Sequence, residues 1–468
     1  MATPYLKNPD NIALWSVIFL AVAFFTISIN THFLIKDTIL AIGGLLYLGY
    51  LYQNGFKIGR IFRELHPIRF WIFSFLGVVA MALISLHFAF DSIATLKAIG
   101  QFLILPLILA LFFYLVAKTC PPKALRWFLV LLGVAIFSHP IATIVDFLLT
   151  HNPRATGFGE RAIIPYAIFL LLALALSVAM VIYLKGKWRF ASCLLVGVSL
   201  FGLFANGTRS SILAVGVMAI VAMFFLPVRH KKPIITLGFV LMVGAGVGLV
   251  VKSADFSERF NFKKIIEHIG IVWSYAPAEM GRFDRNCFID YVYSCSPFSG
   301  EKLDERFSFE MSALNRLSLW KSAWLAIKEN PFRPNGFFNA SFDVNLKNIF
   351  PIDSLQHPYM QNRSRTLLYY TSAHNMVLSF IFELGIEGFI FILMNFISML
   401  LIIRHKIFEV QTEVVPKVFL VGFFIFLIGV VWNIFFDATF AWSNINYFFF
   451  ILCGVALGVS CRRCDNGI

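Results

Sequence analysis

The chain has little charge and few cysteines, and each scarcity excludes a class of protein. Of its 468 residues only 14% are charged, whereas 59% are hydrophobic and the mean hydropathy is +0.79. A water-soluble domain cannot cover so many apolar side chains, so a lipid bilayer is the expected solvent. The seven cysteines are too few and too dispersed for a disulfide framework. Only Cys287 and Cys295 share a hydrophilic loop, and they could pair if that loop is extracytoplasmic.

The sequence also lacks the motifs by which many enzymes hold nucleotides or metals. It contains no Walker A sequence, no dinucleotide fingerprint and no HExxH motif. No DxD pair is present to hold a divalent metal beside a diphosphate. We therefore expect no cofactor and no metal, and we expect arginine to neutralise any phosphate charge. The absence of an ATP site favours an extracytoplasmic reaction whose energy is already stored in the donor.

The net charge of +14 does not indicate a nucleic-acid partner. The basic residues are scattered through short loops between apolar runs and form no single patch. This distribution is typical of topology signals and of contacts with anionic lipid headgroups. We therefore expect membrane lipids, and no nucleic acid, among the partners of this chain.

Twelve apolar runs predict transmembrane helices, because each is close to the roughly 20 residues that cross a bilayer. They cover 12–29, 33–52, 68–88, 96–117, 125–149, 162–184, 190–205, 208–227, 233–251, 373–402, 415–437 and 440–460. No cleavable signal peptide is evident, so the first run is expected to be a retained anchor. The expected fold is an all-α polytopic membrane protein.

The spans divide the chain into three regions. Residues 1–251 form a bundle of nine spans, and residues 252–372 form a large, mostly helical loop. Residues 373–468 hold the last three spans and a short tail.

Lysines and arginines in the loops predict the orientation of the bundle. Most of them lie in one alternate set of loops, at 57–69, 118–126, 185–189, 229–232, 404–417 and 462–463. The opposite short loops hold only Lys36, Lys97, Arg154, Arg161 and Arg209. Both termini are therefore predicted to be cytoplasmic, and the loop at 252–372 is predicted to lie outside the cytoplasm.

The first candidate for chemistry is His374, in the run SAHNMVLSFIFELGIEGF. Ser372 is a possible N-cap for the tenth span, which would place His374 in the first helical turn. A neutral imidazole at the membrane boundary can act as a base toward a sugar hydroxyl. On a continuous helix, Gly385 and Gly388 would fall within about 40° of the His374 face and allow close approach of a helix or lipid chain. The alternative is an interfacial histidine with glycines used only for packing.

The second candidate is Arg209, in the run ANGTRSS. Gly207 and Thr208 predict a turn and an N-cap, so Arg209 would start the eighth span. A helix N-terminus favours anions, and a phosphate bound between it and the guanidinium would reconcile the two positive groups. The alternative is a snorkelling arginine that binds lipid headgroups.

The large loop contains a predicted amphipathic helix. Its spacing predicts one apolar face, which is formed by Ala313, Leu317, Trp320, Trp324 and Ile327. Ser312 is the expected N-cap, and Pro331 is expected to end the helix. Arg316 lies near its start, off the apolar stripe, where a solvated arginine is the commoner case. Arg363 and Arg365 shortly precede His374 and are weaker candidates for positive potential.

These motifs together resemble the O-antigen ligase family, within the wider O-antigen ligase/polymerase superfamily. The ligase motif is His, then Asn, Ser or Gln, nine residues, Gly, two residues and Gly, and it matches His374, Asn375, Gly385 and Gly388 in full. The superfamily's Arg-x3-Trp followed by a Pro-Gly-rich turn matches Arg316, Trp320 and, more loosely, PFRPNGFF. Arg209 matches the arginine that members carry at the start of a span before the large loop.

The resemblance implies a GT-C-like glycosyltransferase of the bacterial inner membrane with its active site at the periplasmic face. The implied donor is O-antigen linked to undecaprenyl diphosphate, and the implied acceptor is a hydroxyl of lipid A–core oligosaccharide. His374 would deprotonate or orient that hydroxyl, and Arg209 and Arg316 would stabilise the leaving diphosphate, with inversion and without metal. The implied substrate-binding residues are Arg154, Arg161, Asn375, Trp320, Arg363, Arg365, Gly385 and Gly388.

Three other functions remain open at this point. An O-antigen polymerase would use a second lipid-linked glycan as acceptor, and a protein O-oligosaccharyltransferase would use a serine or threonine of a protein. A non-catalytic transporter or flippase would place ionisable residues near the midplane. Here most charges lie at span ends, with exceptions such as Asp146 and Glu383.

Overall fold

The computed structural model describes residues 8–89, 91–152, 154–158, 163–225, 273, 320–321, 323–338, 373–409, 413–436, 440 and 442–462. Within these ranges all regular secondary structure is helical. The expected all-α polytopic fold class is confirmed. The predicted boundaries at residues 251 and 372 lie outside the described ranges and stay predictions.

From α1 to α10, and again from α11 to α13, the helices follow one another with short connections. In chain order they are α1 (Pro9–Ser28), α2 (Phe33–Gln53), α3 (Ile58–Leu65), α4 (Arg69–Ser85), α5 (Ser92–Ile99), α6 (Leu105–Thr119), α7 (Pro122–Thr150), α8 (Ile163–Tyr183), α9 (Lys187–Asn206), α10 (Arg209–Met223), α11 (Met376–Ile407), α12 (Val414–Ile434) and α13 (Ser443–Ser460). A 3-10 turn at His66–Ile68 joins α3 to α4, and a π-helical turn at Gly100–Ile104 joins α5 to α6. A further helical segment covers residues 323–329.

Ten helical segments in the described part of the chain are long and apolar enough to cross a membrane. Helix α10 corresponds to the predicted eighth span. Its apolar part, Ser210–Met223, is shorter than these ten segments. The predicted ninth span, 233–251, lies outside the described residues. Helices suit these segments because a helix satisfies its own backbone hydrogen bonds where no water is available.

Small residues set the closest packing inside the bundle. Gly454 and Gly458, four residues apart on α13, face α6, and a Cβ on either would overlap backbone atoms of α6. Such small-xxx-small spacing allows two membrane helices to approach closely. The same device recurs at Gly422 on α12, which packs against Leu176 of α8.

Because consecutive spans alternate in direction, their connections collect at two ends. We call the end that contains residues 53–69, 118–126, 183–189, 404–409 and 413–414 the charged end. Its connections carry ion pairs, which are Lys118–Glu64 and Arg126–Glu413, each at 3.2 Å, and Lys406–Glu409 at 2.6 Å. We call the opposite end the amide end; among the described residues it contains 85–89, 91–92, 150–152, 154–158, 163, 206–211, 331–338, 373–379, 433–436, 440 and 442–443.

Candidate functional site

His374 lies at the amide end, immediately before helix α11. Its backbone φ is +49°, in the left-handed region that His, Asn and Asp tolerate best among non-glycine residues. Helix α11 begins at Met376, and its N-cap is Asn375, whose Oδ1 accepts a hydrogen bond from the Leu378 N–H at 3.1 Å. The prediction of Ser372 as cap and of His374 in the first turn is therefore wrong. The amide of Asn375 caps the helix three residues later than Ser372 would have done.

Trp320 contacts the backbone of His374 directly. The indole Nε1 of Trp320 donates to the His374 carbonyl at 3.4 Å. Its ring lies 6.2 Å from that of Phe436, which lies 5.4 Å from that of Trp432, measured between centroids. The structure therefore joins Trp320 to the left-handed turn that carries His374. Its predicted role in substrate binding stays a prediction.

Helix α11 is interrupted at Gly385. This glycine has φ +74° and ψ 172°, which is not helical, so α11 consists of two helices that meet at a kink. The prediction that Gly385 and Gly388 share a face with His374 assumed one continuous helix and is wrong for that reason. The two glycines allow close contact with different parts of the structure. A Cβ on Gly385 would lie 2.9 Å from the Phe332 carbonyl, and a Cβ on Gly388 would meet Leu384 of the preceding half and Met81 of α4.

The turn at residues 331–338 fills the break in α11. The Ile386 N–H donates to the Pro331 carbonyl at 3.0 Å, and the Asn335 side-chain amide donates to the Phe382 carbonyl at 2.9 Å. The backbone N–H of Asn335 adds bonds to the carbonyls of Phe382 and Glu383, each at 3.2 Å. A break in a helix leaves such backbone groups without hydrogen-bond partners inside the helix. A membrane helix tolerates a break only where these groups find other hydrogen-bond partners.

Two side chains hold the end of this turn against the bundle. The carboxylate of Glu383, which is 2% exposed, accepts the Phe338 N–H at 2.9 Å. The Ser85 hydroxyl oxygen at the end of α4 accepts the Phe337 N–H at 3.0 Å. The turn that follows the predicted amphipathic helix is thereby fixed against the end of α4 and the first half of α11.

An apolar cavity of about 360 Å³ lies beside both halves of α11. It begins at Met376 and Val377, close to His374, and reaches Met399 and Cys453 farther along the bundle. Phe337 and Phe338 of the turn form part of its wall. A cavity of this shape and composition fits an apolar chain better than a polar ligand.

The loops that carry Arg154 and Arg209, here called the arginine-bearing loops, lie at the same end. Helix α10 begins at Arg209, and Gly207, with φ +66°, ends α9 as predicted. Thr208 is the N-cap residue, but its hydroxyl donates to Asn206 Oδ1 at 2.5 Å and forms no cap bond with α10. Arg154 is exposed, and the next residue, Ala155, bonds through its N–H to the Ala205 carbonyl at 3.1 Å. The backbone thus brings the segments of Arg154 and Arg209 together.

The C-terminal end of α12 lies between the arginine-bearing loops and His374. The Ser211 hydroxyl donates to Asn433 Oδ1 at 3.1 Å, which joins the first turn of α10 to α12. Three residues later in the chain, Phe436 contacts Trp320, and Trp320 contacts His374. The predicted elements around Arg209, Trp320 and His374 therefore form one contiguous region.

Several predicted site residues are not placed. Arg161, Arg316, Arg363 and Arg365 lie outside the described residues, as does the Cys287–Cys295 pair. The described part of the amphipathic helix ends before Pro331, as predicted. Its buried face agrees with the prediction at Ile327 but differs at Trp324, which is 49% exposed, and at Ala323, which is buried although it lies off the predicted face.

Sequence reasoning missed the polar side chains that hold these loops. They are Ser85, Asn206, Asn335 and Asn433. The bond from the Phe338 N–H to Glu383 was also not predicted. Asn206 and Asn335 each precede a glycine, and Asn-Gly is a turn signal that could have identified both positions. Ser85 and Asn433 lie inside apolar runs and carry no comparable local signal.

Residues 194–393 match the family model described as O-antigen ligase. The matched segment begins in α9, includes the large loop and ends in the second half of α11, so it contains Arg209, Trp320, His374 and Gly385. The predicted family resemblance is confirmed over this segment, and it supports a glycosyltransferase-like function of the O-antigen ligase or polymerase type. A search of curated proteins returned no match to the chain.

Proposed function

We propose, from the match of residues 194–393 to the O-antigen ligase family, that this chain is an O-antigen ligase. It would transfer glycan from undecaprenyl diphosphate to a hydroxyl of lipid A–core oligosaccharide. The observation that carries the proposal is the position of His374, which lies at the amide end beside both the arginine-bearing loops and the apolar cavity.

His374 is assigned as the base. An imidazole nitrogen takes the proton from the acceptor hydroxyl while that oxygen forms a bond to the anomeric carbon. The bond between the anomeric carbon and the diphosphate oxygen breaks, and its electron pair leaves with undecaprenyl diphosphate. Attack opposite the leaving group inverts the anomeric centre.

The leaving diphosphate is assigned to Arg209 and Arg316, with support from Arg154 and Arg161. The first turn of α10 supports this assignment for Arg209, because its N-cap residue forms no side-chain cap bond and a helix N-terminus attracts anions. Arginine also binds phosphate oxygens bidentately. Positive groups aimed at a developing charge are the largest single source of rate enhancement in many enzymes.

The apolar cavity is assigned to the lipid chain of the donor. It starts beside Met376, two residues after His374, so a chain lying in it would bring its diphosphate to the amide end. The positive-inside rule makes the charged end cytoplasmic and the amide end periplasmic. The lipid-linked donor and the lipid A–core acceptor would then meet His374 in the outer leaflet.

The contacts of Asp146 and Glu383, two carboxylates that lie inside predicted spans, argue against a transporter. Asp146 accepts the Thr156 N–H at 3.1 Å, and Glu383 accepts the Phe338 N–H at 2.9 Å. Each carboxylate thus fixes a loop at the amide end. These contacts favour a structural role for both carboxylates over a role in a proton or ion pathway.

The deciding experiment offers three acceptors to the purified protein in proteoliposomes with lipid-linked glycan. The acceptors are lipid A–core, a second lipid-linked glycan and a pilin-like protein. We expect transfer to lipid A–core alone. Transfer only to the second lipid-linked glycan would make the chain a polymerase, and transfer to the protein would make it a protein O-oligosaccharyltransferase.

Chelation tests the charge neutralisation by arginine. We expect EDTA to leave the rate of glycan transfer unchanged, measured in the same proteoliposomes. Loss of activity that returns on addition of Mg²⁺ or Mn²⁺ would reveal a metal requirement and contradict the assignment.

A further inference from the structure

Asn206 is a fully buried amide at the C-terminal end of α9, and the structure gives a partner to its nitrogen and to its oxygen. Its Nδ2 donates to the Ala155 carbonyl at 3.0 Å and to the Ile163 carbonyl at 3.2 Å. Its Oδ1 accepts from the Thr208 hydroxyl at 2.5 Å. The side chain is 0% exposed, so each of these groups would be costly to leave without a partner.

Two of the bonds of Asn206 reach the backbone of other segments, and the third is to the side chain of Thr208, two residues along its own segment. Ala155 directly follows the exposed Arg154, Ile163 begins α8, and Thr208 directly precedes Arg209. The neighbouring backbone adds one more bond, from the Ala155 N–H to the Ala205 carbonyl at 3.1 Å. A single side chain therefore connects the segment of Arg154 to the segment of Arg209.

We propose that Asn206 is a positioning residue that fixes the spacing of the two arginine-bearing segments, and through it the affinity for the anionic group of the donor. The inference rests on the proposed function in taking that group to be a diphosphate. Two guanidinium groups bind one diphosphate well only at a set separation, since bidentate bonds are directional. Asn206 itself has no contact with substrate in this scheme.

The test variant is Asn206→Asp, which keeps the shape of the side chain and removes both N–H donors. A carboxylate oxygen would then face the carbonyls of Ala155 and Ile163, and the repulsion would release the segment at 154–163. Asn54→Asp is the chemical control. Asn54 donates to the Tyr50 carbonyl at 2.9 Å, but it lies at the charged end, away from the arginine-bearing loops.

Two measurements are expected to move together. Hydrogen exchange of peptides that cover residues 151–163 should become at least about tenfold faster in Asn206→Asp, because the Ala155 N–H loses its fixed partner. The KM for the lipid-linked donor should rise about tenfold while kcat changes by less than about threefold, as expected when binding and not chemistry is impaired. Asn54→Asp should change neither quantity.

A double variant separates a positioning role from simple loss of stability. In an Arg154→Ala background we expect Asn206→Asp to cause little further rise in KM, because the residue through which it acts is already absent. Equal effects in both backgrounds would overturn the inference, as would faster exchange at 151–163 with an unchanged KM in the wild-type background. Unchanged exchange would overturn it as well.

The exchange measurement needs no substrate, so it separates this inference from the proposed function. If wild-type protein transferred no glycan from a diphosphate-linked donor, the proposed function would fail. The positioning role would then be judged on exchange at 151–163 and on binding of inorganic pyrophosphate to the wild-type, Asn206→Asp and Arg154→Ala proteins. Pyrophosphate binding that is equal in all three would overturn it.

Discussion

At the charged end, carboxylates and aromatic rings hold the cations, whereas at the amide end amides, hydroxyls and carboxylates hold the backbone, and Arg333 lies over the Phe88 ring at 5.2 Å. Every ion pair between two described residues lies at the charged end. There Arg60, Arg69, Lys187 and Arg404 also lie over aromatic rings at 5.2 to 6.0 Å from the centroids. At the amide end, the described carboxylate bonds of Asp146 and Glu383 are to backbone N–H groups.

In the proposed function, this difference would let one bundle separate anchoring from substrate binding. Cations that are paired or stacked on rings suit the fixed boundary with anionic headgroups. Where carboxylates bind backbone groups, they hold loops in place without neutralising neighbouring arginines. In the proposed function, this arrangement would leave the arginines of the amide end available to an anionic substrate.

The largest expected effect is from His374→Asn, which tests the amide end at its centre. Asparagine tolerates the left-handed backbone of residue 374, so the turn should be kept while the base is lost. We expect the rate of glycan transfer to fall by about 10² to 10⁴, the usual contribution of a general base. The measurement is initial rate in proteoliposomes with saturating donor and lipid A–core.

His151→Asn is the matched control for this variant. His151 also has a left-handed backbone, with φ +52°, and it lies exposed at the same end of the bundle. It should retain more than about half of the wild-type rate, since surface substitutions away from a site usually have small effects. Near-normal transfer by His374→Asn would remove the assignment of His374 as base.

Arg209→Lys sharpens the comparison of the arginines at the two ends. Lysine keeps the charge but loses the bidentate geometry that suits phosphate, so we expect about a tenfold to hundredfold fall in kcat/KM for the donor. Arg126→Lys is the control at the charged end, where Arg126 forms an exposed ion pair with Glu413. Its kcat/KM should stay within about twofold. Equal loss in both variants would contradict the division of roles between the ends.

Gly385→Ala tests whether the break in α11 supports the site. Alanine is strained at φ +74°, and its Cβ would lie 2.9 Å from the Phe332 carbonyl, so the turn at 331–338 should be displaced. We expect about a tenfold fall in transfer and a lower melting temperature.

Gly197→Ala is the control for that variant, because Gly197 lies within α9 with open space around its Cα. It should be neutral or slightly stabilising, since alanine favours helix more than glycine does. Full activity of Gly385→Ala with an unchanged melting temperature would mean that the break is not needed.

Trp320→Phe is expected to have the smallest measurable effect. It removes the indole N–H that bonds to the His374 carbonyl at 3.4 Å and keeps an aromatic ring against Phe436. One such neutral bond is worth about 0.5–1.5 kcal/mol, so kcat should fall about twofold to tenfold. Trp324→Phe, at an exposed position on the same helical segment, should leave kcat unchanged. A larger change in donor KM than in kcat would instead support the predicted role of Trp320 in substrate binding.

The sequence was sufficient for the elements that depend on local pattern. The apolar runs predicted the described spans, and Gly207 and Pro331 marked helix ends that the structure confirms. These features follow from hydropathy and from residues with restricted or permissive backbones.

The break in α11 could not be predicted in the same way. Gly385 was noted as part of a motif, but a glycine alone does not end a membrane helix. The break is stable because Pro331 and Asn335, some fifty residues earlier, satisfy the released backbone groups. The cap at Asn375 was missed for a related reason, since Ser372 and Asn375 are both good N-caps and local sequence does not decide between them.

The most direct test of the account is a sided reconstitution. Proteoliposomes carry the protein with a protease-sensitive tag after its C-terminus, and lipid A–core is supplied only in the outer leaflet. Vesicles are separated by orientation according to whether external protease removes the tag. We predict glycan transfer where the tag, and with it the charged end, is enclosed and protected. Transfer confined to vesicles whose tag is exposed would place the reaction at the charged end and contradict the account.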